Sequence, residues 1–509
     1  MNCVAVHRTE QCASDRVSFA FVRVALLFLS AVMRYDRRMA KLRFFLVAPL
    51  FVLGCAETVA ETPTPTSACG EALDLTFGTT ESRTNLTGLS IAVDDACNTL
   101  LTGTTQGPID FGGGPLGSAE APFSFVAKLD ASGKHIWSRA LPNGATFEGK
   151  DVLALDPQGG ILLAGSLTAN VDLGGGTLGG EYVRANHPFL LRLDADGNHV
   201  SSRRLPGNLP DDINFSGNFA RAVEGITFDP EGNFVISGRF VGTLDLGGVT
   251  VTSVPEPWDE FITNYKPDVF VAKYDTKGEL LWAEKYGGDI SDFPAGLDVT
   301  PAGEVVFAYN QFSVMETSGE PIGLHVKKYS RDGDIIWSKV FEASHLTGFG
   351  GNMAVTDDGG LVLGGEGQLV FDGIGTFSPS FVGRLDANGK PVLGASITGD
   401  AAAIVSSVAP GKNGGIRAIG WFEDTLLLQG KVMAGTSGGL DGFDVHLEWD
   451  DTANTLATFG AAADELPLAM AQSKAGDRVI VGVEGPLVHL DDSLTPYSTG
   501  TRIFLRRRR

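Results

Sequence analysis

A ring of antiparallel sheets, an all-β seven-bladed β-propeller, is the fold class the sequence predicts, and three observations predict it. One strand-turn-strand pattern returns seven times, no run after the N-terminal apolar segment sustains a 3.6-residue period, and the last copy lacks a strand whose like stands near the start of the body. Eight blades is the competing count.

The pattern is an apolar strand ending in a basic residue, then Leu or Tyr, Asp, two spacer residues and Gly. It reads FVAKLDASGKHIW, FLLRLDADGNHV, FVAKYDTKGELLW and FVGRLDANGK, with weaker copies HVKKYSRDGDIIW, VHLEWDDTAN and FLRRRR. Anchored on Lys128, Arg192, Lys273, Lys328, Arg384, Glu448 and Arg507, the copies lie 55 to 81 residues apart. Upstream in each unit, turns such as Asp156-Pro157-Gln158-Gly159, Asp229-Pro230-Glu231-Gly232 and Thr300-Pro301-Ala302-Gly303 separate two β-rich runs. Pro fixes one dihedral of such a turn and Gly takes the positive φ. Each unit therefore supplies four strands: inner, second, third and outer. The last unit stops after its third strand, and Leu73-Asp74-Leu75-Thr76-Phe77-Gly78 reads like the missing outer one. Closure of that kind removes the exposed edges of an open sheet.

The chain has 509 residues and a formal net charge of −22, which argues against nucleic acid as a partner because phosphate binding needs basic surface. With 20% charged and 43% hydrophobic residues it is globular in composition despite its 66 glycines, so collagen, coiled coil and wholesale disorder are excluded.

Residues 44–53 (FFLVAPLFVL) form an apolar run preceded by Lys41 and Arg43 and followed by Gly54-Cys55. This is the layout of a secretory signal, too short to span a bilayer. Met39 makes a compact start for it, while residues 1–38 add a second apolar patch. Residues 56–67 (AETVAETPTPTS) hold no large apolar side chain but Val59 and read as an extended tether. The expected organisation is a targeting segment over 1–54, a tether over 55–69 and the propeller over 70–509. Without residues 1–54 the charge becomes −27, so the acidity belongs to the body.

Val52-Leu53-Gly54-Cys55 resembles the bacterial lipobox, although Leu53 departs from the small residue usual there. The resemblance implies that Cys55 is lipidated and becomes the mature N-terminus, and Ala56 after it implies transit to the outer membrane. The repeats resemble the seven-bladed β-propeller (SBBP-like) repeats of bacterial envelope lipoproteins. Asp110-Phe111-Gly112, Asp172-Leu173-Gly174, Asp245-Leu246-Gly247, Phe77-Gly78 and Tyr286-Gly287-Gly288 carry this likeness over residues 70–509. That family is mostly without assigned chemistry. The Gly-x-x-x-Trp spacing at Gly133–Trp137, Gly278–Trp282 and Gly333–Trp337 is similar to the tryptophan-docking repeats of quinoprotein dehydrogenases and of an outer-membrane assembly lipoprotein, which implies packing between blades.

Other motifs weigh toward structure. The glycine runs from Gly112 to Gly117 and from Gly174 to Gly179 match a dinucleotide pattern, but no helix follows to present amides to a pyrophosphate. Gly435-Thr436-Ser437-Gly438-Gly439 lacks the strand-turn-helix setting of a nucleophile elbow. Asp130, Asp194, Asp196, Asp275 and Asp386 have the look of calcium loops without the further carboxylates. The histidines show no zinc spacing. Cys69 and Cys97 are the thiols left in an exported body, and their places at the clasp and at the first inner turn suit a disulfide. Arg506 to Arg509 reads as a solvated basic tail, with contact to anionic lipid headgroups or to acidic loops as the alternative.

No cofactor, metal or catalytic residue is expected. The leading expectation is a monomeric cell-envelope lipoprotein, held to the outer membrane by lipid on its periplasmic or surface side, whose propeller binds a protein or polysaccharide without catalysis. An envelope enzyme, lyase, hydrolase or quinoprotein, with its site in the funnel is the alternative. The expected binding surface lies over the second and third units, where the repeat is longest. Its candidates are Trp258, Asp259, Glu260, Phe261 and Tyr265 in one insertion and Asp211, Asp212, Phe215 and Phe219 in the preceding connection.

Overall fold

A computed structural model describes residues 69–508, apart from 80–81, 85–87, 119, 148, 180–186, 209–220, 254–265, 289–290, 313–322, 345–351, 449–453, 461–462, 475, 487, 491–492 and 496–499. Contacts divide the chain into Met1–Pro63 and Thr64–Arg509, and all described residues belong to the second unit. Its strand content of 64% against 1% helix makes it all-β, in a β-propeller arrangement.

The third repeat shows how a unit is built. Arg221–Phe228, Phe234–Phe240, Asp268–Tyr274 and Leu280–Tyr286 pair in that order, each antiparallel to the next. The second and third strands are buried almost throughout, so they read as continuous apolar runs, whereas the outer strand is half exposed and alternates. Successive sheets pack face to face, and each contact between repeats is a cluster of aliphatic and aromatic side chains from both sides.

The sheets do not separate one per repeat, which corrects the expectation of seven, or eight, distinct blades. Five sheets of four to six strands stand apart, and one eight-stranded sheet holds both the fifth and sixth repeats. The cause is overhang. Pro391–Gly399 and the thirteen-residue strand Ile416–Leu428 outrun their neighbours, and their ends pair from Ile397 opposite Leu428 to Gly399 opposite Leu426.

Leu73–Phe77 pairs antiparallel with the last strand, Arg502–Arg508, completing the terminal sheet from the other end of the chain. This pairing also overturns the solvated tail. Arg506 and Arg507 are 7% and 1% exposed, because the arginines continue the third strand of the final repeat. Arg506 reaches Glu465 at 2.8 Å and Asp74 at 3.1 Å. Arg509 lies outside the described residues. A second correction concerns register. His446, not Glu448, occupies the anchor position of the sixth repeat, since it stands opposite Arg417 as Lys273 stands opposite Val235.

The basic anchors do one recurring job. In the first five repeats the anchor reaches a carboxylate at the inner turn of its own repeat and donates to a backbone carbonyl in a turn of the following repeat. Lys128 meets Asp94 at 3.1 Å and Ala195 O at 3.2 Å. Arg192 meets Asp156 at 3.3 Å and Thr276 O at 2.6 Å. Lys273 meets Asp229 at 2.9 Å and Arg331 O at 3.4 Å, and Arg384 meets Asp358 at 2.5 Å and Gly414 O at 2.6 Å. In the fourth repeat Thr300 replaces the turn aspartate, and Lys328 pairs with Glu304 at 2.6 Å instead. Arg507 closes the series by donating to Ala131 O of the first repeat at 2.6 Å.

Tryptophan strengthens the same joints. Trp137, Trp282 and Trp337 donate to Ala195 O, Arg331 O and Ala387 O at 3.0 to 3.3 Å, and their rings cover Gly197, Gly333 and Gly389 of the next repeat. Those glycines have φ of +78°, +96° and +74°, and a Cβ there would come within 2.8 to 3.1 Å of the ring. At the clasp, Leu75 takes the ring's place over Gly133. The aspartates that precede these turns are consumed by them. Asp275 Oδ1 accepts from the N–H groups of Lys277 and Glu279, both at 2.8 Å, and Asp130, Asp194 and Asp386 repeat the arrangement. Cys69 and Cys97 form a disulfide, joining the clasp to the first inner turn across a sequence separation of 28. A loop of that size stabilises by roughly 3 kcal/mol in the chain-entropy account.

Two predictions follow from the joints. Deleting residues 73–78 will lower the melting temperature and promote aggregation, since it bares the edge of Arg502–Arg508; a deletion as stable and monodisperse as the parent contradicts the clasp. Gly197→Ala will cost about 1–2 kcal/mol in urea unfolding, from the left-handed backbone alone, and more if Trp137 is displaced.

Candidate functional site

Four-stranded meanders put their two kinds of connection on opposite faces. Inner-to-second and third-to-outer turns, tight and tied by the clamps above, share one face. Second-to-third and inter-repeat connections share the other. On that other face lie the described residues Asn208, Arg221, Ser253 and Lys266, which flank the segments 209–220 and 254–265 in sequence. All nine expected binding residues, Asp211, Asp212, Phe215, Phe219, Trp258, Asp259, Glu260, Phe261 and Tyr265, lie outside the described residues, as does Cys55. The glycine runs form small hairpins whose turns are tied by Asp110 and Asp172, and Ser437 falls within the strand Lys431–Leu447.

The inner strands converge on a channel of about 290 Å³. Crowding explains their composition. Two residues before the inner turn, the seven repeats carry Ala92, Ala154, Thr227, Asp298, Ala354, Ala409 and Ala471. Asp298 thus puts a carboxylate where five repeats have a methyl group. Its Oδ2 accepts the Val355 N–H of the next repeat at 2.8 Å and its Oδ1 the Val299 N–H at 2.8 Å. Burial, against those two hydrogen bonds and with help from nearby Asp151, pushes Asp298 up to about 6.

Five residues before the turn, Leu89, Ala295, Ser406 and Leu468 occupy a position that the second and third repeats give to Asp151 and Glu224. In the third repeat this residue is the extra one of a β-bulge, which aims it out of the ladder. Arg239 holds Glu224 at 2.6 Å, while burial raises the Glu224 carboxyl. The Asp151 N–H donates to Glu224 O at 3.3 Å, fixing the two positions side by side. Asp151 is accessible to solvent through the channel yet walled by protein, so its carboxyl is raised by burial and drawn down by Lys150. Lys150 is lowered to about 8 by burial, against the pull of Asp151 and of Glu366 from the fifth repeat.

Asp151, Glu224 and Asp298, with Lys150 and Arg239, therefore gather on the second, third and fourth repeats. The set offers hydrogen-bond acceptors, two cations and three carboxyl groups with raised pKa, of which Asp151 and Asp298 line a space the size of a sugar ring or two. Sequence reading missed it; the signal was present as charged residues at inner-strand positions that other repeats fill with alanine or leucine. Among the described residues no group of three or more His, Cys, Asp and Glu side chains is placed to hold a metal ion.

No protein-family model and no curated protein matches the chain. Among solved structures it is similar to the polysaccharide lyase Uly1, at 10% identity and a TM-score of 0.44 over 82% of this chain and 89% of that one. It is also similar to the periplasmic gluconolactonase PpgL of Pseudomonas aeruginosa, at 10% identity and 0.37 over 75% and 94%. A third is a puromycin hydrolase, at 14% identity and 0.38 over 81% and 59%. At such scores the fold rests on the strand pairings themselves.

The raised carboxyl of Asp298 has a pH consequence. Between about pH 4 and pH 6 the unfolded chain ionises this group first, so its contribution to stability declines as pH rises through that window. Asp298→Asn lacks this decline. Its melting temperature relative to wild type will climb from pH 4 to pH 7, and a constant difference across that range contradicts the assignment.

Proposed function

We propose that this chain is an exported envelope lipoprotein whose propeller binds a saccharide at the channel mouth over its second to fourth repeats. The observation that supports it is the replacement of alanine and leucine by Asp151, Glu224 and Asp298 in adjacent repeats. Carboxylates in a crowded, low-dielectric channel are costly, and beyond the hydrogen bonds of Asp298 to Val355 and Val299 and the pair of Glu224 with Arg239 they leave acceptors that, with an ammonium beside them, suit sugar hydroxyls. The segments 209–220 and 254–265 carry Phe215, Phe219, Trp258 and Tyr265, aromatic side chains of the kind that stack on sugars at low entropy cost.

Counting repeats by register rather than by hydrogen-bonded sheet, we read seven blades, with the fifth and sixth fused. Lipidation of Cys55, the outer membrane as destination and a monomeric state complete the reading. Cys55→Ala will move the protein from the membrane to the soluble fraction on cell fractionation; an unchanged membrane fraction rejects the anchor.

A catalytic reading has one observation in its favour: Asp298, raised to about 6, and Asp151, also raised, share one channel, as a general acid and its partner do. One experiment tests both readings. Envelope polysaccharides and their oligosaccharides are titrated calorimetrically into wild type, Asp151→Asn and Asp298→Asn, and the mixtures are assayed for new reducing ends and unsaturated uronates. Binding without turnover, weakened tenfold or more in both variants, supports the binding module. Turnover lost in both variants supports the enzyme. Wild-type affinity in both variants overturns the channel site.

A further inference from the structure

The outer strands carry apolar side chains that neither the clamps nor the channel uses. Where each of the first four repeats enters its outer strand the ladder slips by one residue, and the residue left over is Ile136, Val200, Leu281 or Ile336. Each is thus the extra residue of a β-bulge, aimed out of the ladder. These side chains are 44%, 58%, 52% and 48% exposed, whereas two positions before them stand the exposed polar residues Lys134, Asn198, Glu279 and Asp334. A bulge blunts the edge of a sheet, but charge ordinarily accompanies that task. Four aliphatic side chains at one repeat position in successive repeats form a surface instead. The hairpin tip that carries the exposed Val249 widens it, since Gly247 of that tip lies against Leu280. The outer strand of the sixth repeat, Thr455–Phe459, and the clasp strand Leu73–Phe77 have no such slip, so the row is confined to one part of the circumference.

The bulges follow the third-to-outer turns directly, which places the row at the rim of the face that holds those turns. The described chain begins on the same face. Cys69 is bonded to Cys97 of the first inner turn, and its carbonyl shares the Arg507 guanidinium with Ala131 O of the first third-to-outer turn. Residues 56–68, which separate Cys69 from Cys55, reach roughly 45 Å at full extension. Lipid on Cys55 therefore tethers the protein by this face, and tethering raises the effective concentration of the rim at the bilayer enough for a weak contact to form. We propose that this rim, through Ile136, Val200, Leu281 and Ile336, rests on a lipid bilayer, a proposal that builds on the lipid-anchor reading of Cys55. Trp137, Trp282 and Trp337, each half-buried beside a bulged residue, are of the type that favours the headgroup level. With a net charge of −27 on the body, the matching surface is zwitterionic and not anionic.

The test separates docking from anchoring. The full chain carrying Cys55→Ala is sedimented with vesicles of phosphatidylethanolamine and phosphatidylcholine, and binding is expected to rise with lipid concentration. The triple variant Val200→Glu, Leu281→Glu, Ile336→Glu in that background should bind at least tenfold more weakly at an unchanged melting temperature, because the three side chains are exposed. In the lipidated proteins the anchor holds both forms on the vesicle, and brominated lipid should quench tryptophan emission in wild type and much less in the triple variant. Equal vesicle binding with and without the three glutamates overturns the proposal, as does equal quenching in the two lipidated forms. Self-association that the glutamates abolish, without any vesicle binding, overturns it too, by assigning the rim to a second copy of the chain. An unchanged membrane fraction of Cys55→Ala in cells rejects the anchor and leaves the vesicle measurement to decide on the rim, so the two readings fail separately.

Discussion

The structure depends on the reach of a basic side chain across each of its first five joints and, through Arg507, across the closing one. At the end of the third strand, a lysine or arginine neutralises the carboxylate of its own inner turn and then donates to a carbonyl in the neighbouring repeat. In the third repeat the pair is almost fully dry, with Lys273 and Asp229 side chains 2% and 1% exposed. Burial works against the Asp229 charge, but Lys273 and Asn233 more than offset it and hold the carboxyl below its ordinary range. Removing one member of such a pair strands the other, at a cost of about 3–5 kcal/mol. Because these donors point forward to the next repeat, the clamps run in one direction, interrupted where His446 stands in the sixth repeat. Arg507 brings them back to Ala131, beside the disulfide that fastens the clasp.

This division of labour explains where chemistry is free to appear. The clamped face is spent on structure: its aspartates cap turns, its glycines receive tryptophan rings, and its carbonyls take the clamps. The inner strands expose to the channel the few side chains that the repeat does not prescribe. Asp151, Glu224 and Asp298 stand there against the pattern, in adjacent repeats, and the saccharide reading follows from that contrast.

Much of the architecture was legible in the sequence because the joints recur at fixed offsets. The Lys-Leu-Asp-x-x-Gly spacing encodes the clamp and the turn, Gly-x-x-x-Trp encodes the docked ring, and the orphan strand Leu73–Phe77 announces the closure. The failures have physical causes. The sixth anchor was misplaced because His446 breaks the basic pattern and Glu448 stands nearby. Arg506 and Arg507 looked like a tail because charge at a chain end ordinarily seeks water, yet the buried Glu465 and the surface Asp74 of the clasp both pair with Arg506. Fusion of the fifth and sixth repeats depends on strand overhang, which composition does not reveal. The channel cluster was hidden for another reason: its members are far apart in sequence and only exact register shows that Asp298 replaces an alanine.

The directional ring of joints, closed by Arg507, is the claim on which the rest stands, and amide hydrogen exchange of Arg507→Met against wild type, read by peptide mass, tests it most directly. The account predicts lost protection at both ends of the chain together: in Arg502–Arg508 and, across the joint, in Phe123–Leu129 and His135–Ala140 of the first repeat. Faster exchange confined to Arg502–Arg508, with the first repeat as protected as in wild type, would contradict it.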